Sequence, residues 1–174
     1  MRRRPELGRP RPRAADDSEQ ESPEASSGPT AGSVVARLRG VAHRRPIARA
    51  MADVMTEYIP LDETRRAEYR VARAFVGRAV DAPALAEVDA ETARALREDI
   101  ARAVHNGKEC GEVDEHLDPQ PAAVRLAAVM EGLALQVYRE PEGGAGAPVA
   151  RFVAPLLDAE LTTVFTGECR QYAR

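Results

Sequence analysis

PAAVRLAAVMEGLALQVY, residues 121–138, decides the fold of this chain. Placed on a helix, Ala122, Leu126, Val129, Met130, Leu133 and Val137 share one face. Val124, Ala127, Ala128, Ala134 and Leu135 carry apolar surface well beyond that stripe. A surface helix needs an apolar band only about 100° wide. A wider band, filled with alanine, predicts one side for the chain's own core and another for a second body, a copy of itself.

The rest of the composition agrees with helix. Charged residues make up 30% of the 174 and aromatics 4%, with no Trp. Ala, Leu, Val, Arg and Glu dominate, and runs of β-branched and aromatic residues are scarce, so the expected class is all-α. The length allows one domain with a sizeable core. The net charge of −3 hides segregation. Residues 1–13 hold six Arg and one Glu, residues 14–33 five acids and no base, and residues 34–49 five Arg and no acid. The remaining body is acidic and a poor surface for nucleic acid. Cys110 and Cys169 form no disulfide framework, which points to a reducing cytoplasm. No apolar run reaches the ~18 residues of a membrane span.

Breakers and caps divide the chain. Residues 1–33, rich in Pro, Ser, Gly, Arg and Glu, read as a disordered tail. Residues 34–45 read as a short Arg-rich connector, helical over 34–43. Pro46 permits a helix over 47–58, and Pro60 ends it. Asp62 caps a helix over 63–80, with Tyr69, Ala72, Phe75, Val76 and Ala79 inward. Residues 84–106 are helical, and Asn106-Gly107 is the expected left-handed stop. Residues 108–117 read as a polar loop, and Asp118-Pro119 opens the next helix. Residues 141–147 form a Gly-rich turn. The last helix spans 149–165, with Pro155 inside it as an expected kink or break. The folded domain should cover 46–166, leaving 167–174 as a tail. The last two helices make a hairpin, and two hairpins across a two-fold axis would bury Val124, Ala128, Leu135, Val153 and Leu157 in a dimer interface.

Catalytic patterns are weak. Every Ser lies within residues 18–33, so a held Ser nucleophile is not expected. His105, Cys110, Asp114 and His116 lack structural-zinc spacing, so neither a metal nor another cofactor is expected. The GGAG at 143–146 lacks the lysine and the strand-turn-helix setting of a phosphate loop. The chain is not expected to be an enzyme. An apolar pocket is the better candidate. Met55, Tyr58, Tyr69, Phe75, Val104 and Met130 come from four predicted helices and could line a cavity for a small apolar or amphipathic ligand. Arg73, Arg78, His105 and Glu131 are the polar candidates beside them.

The order YIPLDETRRAEYRVARAFVGRAV (58–80), a helix ending in Asn-Gly, then GEVDEHLDPQPAAVRLAAVMEGLALQVY (111–138) resembles the C-terminal domain of TetR-family transcriptional regulators, in the branch of the repressor BetI. The resemblance rests on Pro60-Leu61-Asp62-Glu63 with Arg65, Arg66 and Glu68, then Gly111-Glu112, Leu117-Asp118-Pro119 and Gly132-Leu133-Ala134. It implies a cytoplasmic, small-molecule-sensing and dimerising domain whose ligand shifts the spacing of two DNA-binding heads. Residues 1–45 depart from the family, because no helix-turn-helix pattern is visible there. Direct operator reading is therefore not expected. Arg37, Arg39, Arg44 and Arg45 would give at most weak, salt-sensitive phosphate contact. The expected partner is a second copy or a full-length TetR-like relative, and no membrane. The rival reading is a helical interaction module without a ligand.

Overall fold

The computed structural model describes residues 45–140 and 148–171. The expected tail 1–33, the helix at 34–43 and the turn at 141–147 lie outside the described residues, as do Arg37, Arg39 and Arg44. Among the described residues all regular structure is helical. The helices are α1 (Ile47–Tyr58), α2 (Glu63–Ala79), α3 (Pro83–Cys110), α4 (Pro119–Arg139), a 3-10 turn (Ala150–Phe152) and α5 (Val153–Thr162). None is long and apolar enough to cross a membrane.

The caps explain the boundaries. Asp62 Oδ1 accepts from the Arg65 N–H at 2.8 Å and starts α2. That backbone bond, more than any other contact, holds the Asp62 carboxyl below its ordinary range. Asp118 accepts from the Gln120 N–H at 3.0 Å and starts α4, with Pro119 in the first turn, where its missing N–H costs nothing. The first turn of α1 receives its cap from far along the chain. Glu112 Oε1 accepts from the Ile47 N–H at 2.7 Å and Oε2 from the Ala48 N–H at 2.8 Å. Glu112 is 2% exposed, so two charge-assisted bonds in a dry setting fix where α1 begins.

Two expected ends move. Helix α3 runs past Asn106-Gly107 to Cys110, and the left-handed residue is Gly111 (φ 91°). Gly107 serves close packing instead: a Cβ there would meet Val113 Cγ2 at 2.6 Å. Its carbonyl accepts the N–H groups of Gly111, Glu112 and Val113, which turns the chain back. The expected polar loop therefore opens with a buried carboxylate and a buried valine. The last helix is shorter than expected, because residues 150–152 wind as a 3-10 turn. Pro155 then falls in the first turn of α5 and needs no kink.

The core lies between α1, the second half of α3, α4 and α5. Met51, Met55, Ile59, Ile100, Leu126 and Val137 are fully buried within it. The arm formed by α2 and the start of α3 is different. Ala79 is the one buried residue of α2, and burial in α3 begins at Leu96. Val71 and Val88 stand out in solvent, and Ala72, expected to face inward, is exposed. The segment after α5, expected as a tail, is partly docked: the Gly167 N–H donates to the Glu112 carbonyl and the Arg170 N–H to the Cys110 carbonyl.

Candidate functional site

The six expected ligand residues divide into two groups. Met55, Val104 and Met130 are no more than 1% exposed and fill the core alongside Leu126 and Val137. Tyr58, Tyr69 and Phe75 are half-buried, and the two tyrosines lie near enough for each to act on the other's charge. Arg73 of α2 and Glu131 of α4, both on the exposed side, and the half-buried Asp89 and Arg97 of α3 supply the charges around these groups.

Burial and neighbouring charge shift three of these groups. Burial pushes the Tyr58 hydroxyl up to about 12, helped by Glu131, Tyr69 and Asp89 and opposed by Arg73. Burial also raises Tyr69, with Arg73 pulling the other way. Glu131 is raised by desolvation and by Asp89, against the Arg97 guanidinium. A raised phenol remains a hydrogen-bond donor, and a carboxyl raised by desolvation gains from any donor or cation that approaches it. Aromatic rings with polar tips are the chemistry that would suit an amphipathic guest.

Arg66 closes one end of this region. Its guanidinium donates to the carbonyls of Tyr138 and Glu140 at 2.8 Å each and of Val137 at 3.3 Å. It therefore satisfies the end of α4, whose last carbonyls have no partner within the helix. The same guanidinium lies 5.0 Å over the Tyr138 ring, and that ring packs against Tyr69 at 5.1 Å with the planes at 53°. Helix α2 thus reaches α4 through long side chains. Arg66, Asp89, Arg97 and Tyr138 were not singled out as site residues in the sequence. Only the repeated placement of Arg and Tyr at helical spacing hints at them. Arg78 is exposed, and His105 lines a separate open cleft of about 410 Å³ with Glu98, Arg102 and Gln120. A second cleft, about 230 Å³, lies between the start of α1 and α5, against Asp158 and Phe165. Neither cleft is lined by the six expected residues.

The interface candidates also divide. Val124 is 53% exposed, Ala128 is exposed and Leu135 half-buried, so these three keep an apolar strip along the outer face of α4. Val153 and Leu157 are each 1% exposed, turned into the chain's own core. Phe152 of the 3-10 turn and Leu156 of α5, both 47% exposed, are the outward apolar residues of this segment instead. Arg125 Nε meets Glu160 Oε2 at 3.2 Å, and Arg125 also bonds Thr163, which ties the two helices together beside the strip.

Of the four expected phosphate-contacting arginines, Arg45 is described, and it pairs with Asp53 of α1. His105, Asp114 and His116 are exposed, and the His116 N–H caps onto Asp114. The histidines do not converge with Cys110. That thiol instead faces Glu112 and Cys169, a grouping hidden by their separation along the chain.

Residues 46–162 match the family described as BetI-type transcriptional repressor, C-terminal. A crystal structure of a transcriptional regulator from Rhodococcus sp. Rha1 is similar, with a TM-score of 0.64 and 28% identity. The match covers 79% of this chain and 80% of that one. No curated protein sequence matches.

Proposed function

We propose a function from one premise: this chain belongs to the family of BetI-type transcriptional repressors, through the family's C-terminal domain. It acts in the cytoplasm as the ligand-sensing and dimerising part of a TetR-type regulator, without catalysis. The observation that carries this reading is the strip Val124, Ala128, Leu135, Phe152 and Leu156, apolar and outward on the α4–α5 hairpin. Exposed apolar residues on neighbouring elements are the raw material of an interaction surface. On a hairpin it suits an isologous contact with a second copy or with a full-length relative.

The sensing role is assigned to the residues around Tyr58, Tyr69 and Glu131 rather than to a closed cavity. A small amphipathic guest there would touch α2 and α4 together. Through Arg66 it would bias how the arm sits on the dimer-forming helix. That is the differential contact a population shift requires. Contact with DNA phosphates, if made through Arg37, Arg39 and Arg44, would be weak and steeply salt-dependent.

Thermal-shift measurements test both parts. The melting temperature should rise with protein concentration, since association stabilises the folded chain. A panel of small amphipathic compounds should yield at least one that raises it further, with the gain lost in Tyr69→Ala. A melting temperature independent of concentration, with no responding compound, would contradict the reading. The close packing of Met55, Val104 and Met130 favours a second reading, a helical interaction module without ligand. That reading predicts the concentration dependence alone.

A further inference from the structure

A second cluster lies where the turn at the end of α3 meets the segment after α5. Cys110 is the last residue of α3, Glu112 follows the left-handed Gly111, and Cys169 arrives from the segment after α5. All three are buried, at 7%, 2% and 6% exposure. Their sulfur and oxygen atoms lie within 4.8 Å of one another, and Cys110 Sγ is 3.1 Å from Glu112 Oε1.

The cluster is held from outside. The Arg170 N–H donates to the Cys110 carbonyl at 2.8 Å and the Gly167 N–H to the Glu112 carbonyl at 3.0 Å, so Cys169 is bracketed by two backbone bonds. A Cβ at Gly167 would stand 2.2 Å from the Gly111 carbonyl oxygen, so this approach requires glycine. Glu112 is fixed from behind by the N–H groups of Ile47 and Ala48. Outer partners that orient a carboxylate in this way are what metal ligands need.

We propose that Cys110, Cys169 and Glu112 form a binding site for a thiophilic divalent cation of the zinc class, with the fourth position left to water or an incoming ligand. Tetrahedral zinc holds sulfur at about 2.3 Å and carboxylate oxygen at about 2.0–2.2 Å, which places its ligands about 3.6–3.8 Å apart. Three atoms within 4.8 Å reach that spacing with small side-chain shifts. Two sulfurs and one oxygen select against magnesium and calcium, which take oxygen ligands. In the metal-free protein the Cys110 thiol donates to Glu112 Oε1, and the cation replaces that proton between the same two atoms. Loading displaces the thiol protons, so affinity rises with pH. The bound cation would join the end of α3, the C-terminal segment and, through Glu112, the first turn of α1.

Cobalt(II) titration of the reduced full-length chain tests this. A thiolate-to-cobalt charge-transfer band should appear, saturate at one equivalent and vanish when zinc(II) is added, with magnesium(II) giving no displacement. Cys110→Ser and Cys169→Ser should each abolish the band, and His116→Ala should leave it unchanged. Cys169 lies outside the main helices, so its variant, checked for helical circular dichroism, decides the matter if Cys110→Ser misfolds. A reduced protein giving no band overturns the proposal, as does a band that survives Cys169→Ser. A Cys110–Cys169 disulfide in protein prepared without reductant, with no cobalt bound after reduction, would assign the pair to redox chemistry and also overturn it.

Discussion

Replacing Glu112 by glutamine removes one carboxylate oxygen from the first turn of α1 and sets an amide NH2 against a backbone N–H. The native side chain accepts from Ile47 at 2.7 Å and from Ala48 at 2.8 Å, while 2% exposed. A hydrogen bond to a charged group contributes about 1.5–3 kcal/mol, and a buried donor left unmatched costs about 1–3 kcal/mol. Glutamine keeps one of the two bonds and avoids burying a charge, which offsets part of the loss. The expected net destabilisation is therefore about 2 kcal/mol. For a folded body of this size, each kcal/mol shifts the melting temperature by about 3–5 °C, so the fall should be about 6–10 °C. Circular dichroism melts at pH 7, with reductant and chelator present, read this without interference from bound metal. Glu115→Gln, on an exposed side chain of the same loop, is the control and should move the midpoint by no more than about 1 °C. A cooperative Glu112→Gln melt within about 2 °C of wild type would refute the capping role.

Arg66→Ala should cost about 1.5–3 kcal/mol in urea unfolding, because it strips the end of α4 of a charged donor to three carbonyls. Arg66→Lys should recover less than half, since an ammonium cannot fork across them or stack on Tyr138. The Tyr58 hydroxyl, raised to about 12, gives a pH dependence whose sign is fixed. The unfolded chain loses that proton first, so the contribution is intact below about pH 10 and drains away between about 10 and 12. Tyr58→Phe should flatten the fall in melting temperature over that window. Glu131, also raised, opposes folding once ionised, and its penalty grows as pH climbs through the folded value. Glu131→Gln should therefore raise the melting temperature at pH 7 and leave it unchanged below about pH 4.

The helices were legible because their signals are local. Asp62, Pro60 and Asp118-Pro119 mark ends that the backbone adopts, and the apolar width of residues 121–138 separates the buried Leu126 face from the exposed Val124 face. What failed was local too, but ambiguous. Two glycines compete to end α3, and the one that packs against Val113, Gly107, stays helical while Gly111 takes the left-handed turn, a difference that composition does not encode. In α5 the apolar residues are dense enough to allow more than one inward face, and the one adopted buries Val153 and Leu157 and leaves Leu156 outward, with Phe152 exposed in the 3-10 turn before it. The cluster around Tyr58 and Tyr69 was half legible. Tyr58, Tyr69, Arg73 and Glu131 were in view, whereas Asp89, Arg97 and Tyr138 join them only through helix packing. The Cys110–Glu112–Cys169 cluster was not legible, since its third member arrives from a segment read as tail.

The mass of the chain in solution tests the central claim most directly. Sedimentation equilibrium should return twice 18.9 kDa for the wild type. Val124→Glu with Leu156→Glu should return 18.9 kDa with unchanged helical circular dichroism, because both positions are outward and neither fills the core. A wild type that stays monomeric across the concentration range would contradict the dimerising domain, and a double variant that stays dimeric would place the interface elsewhere.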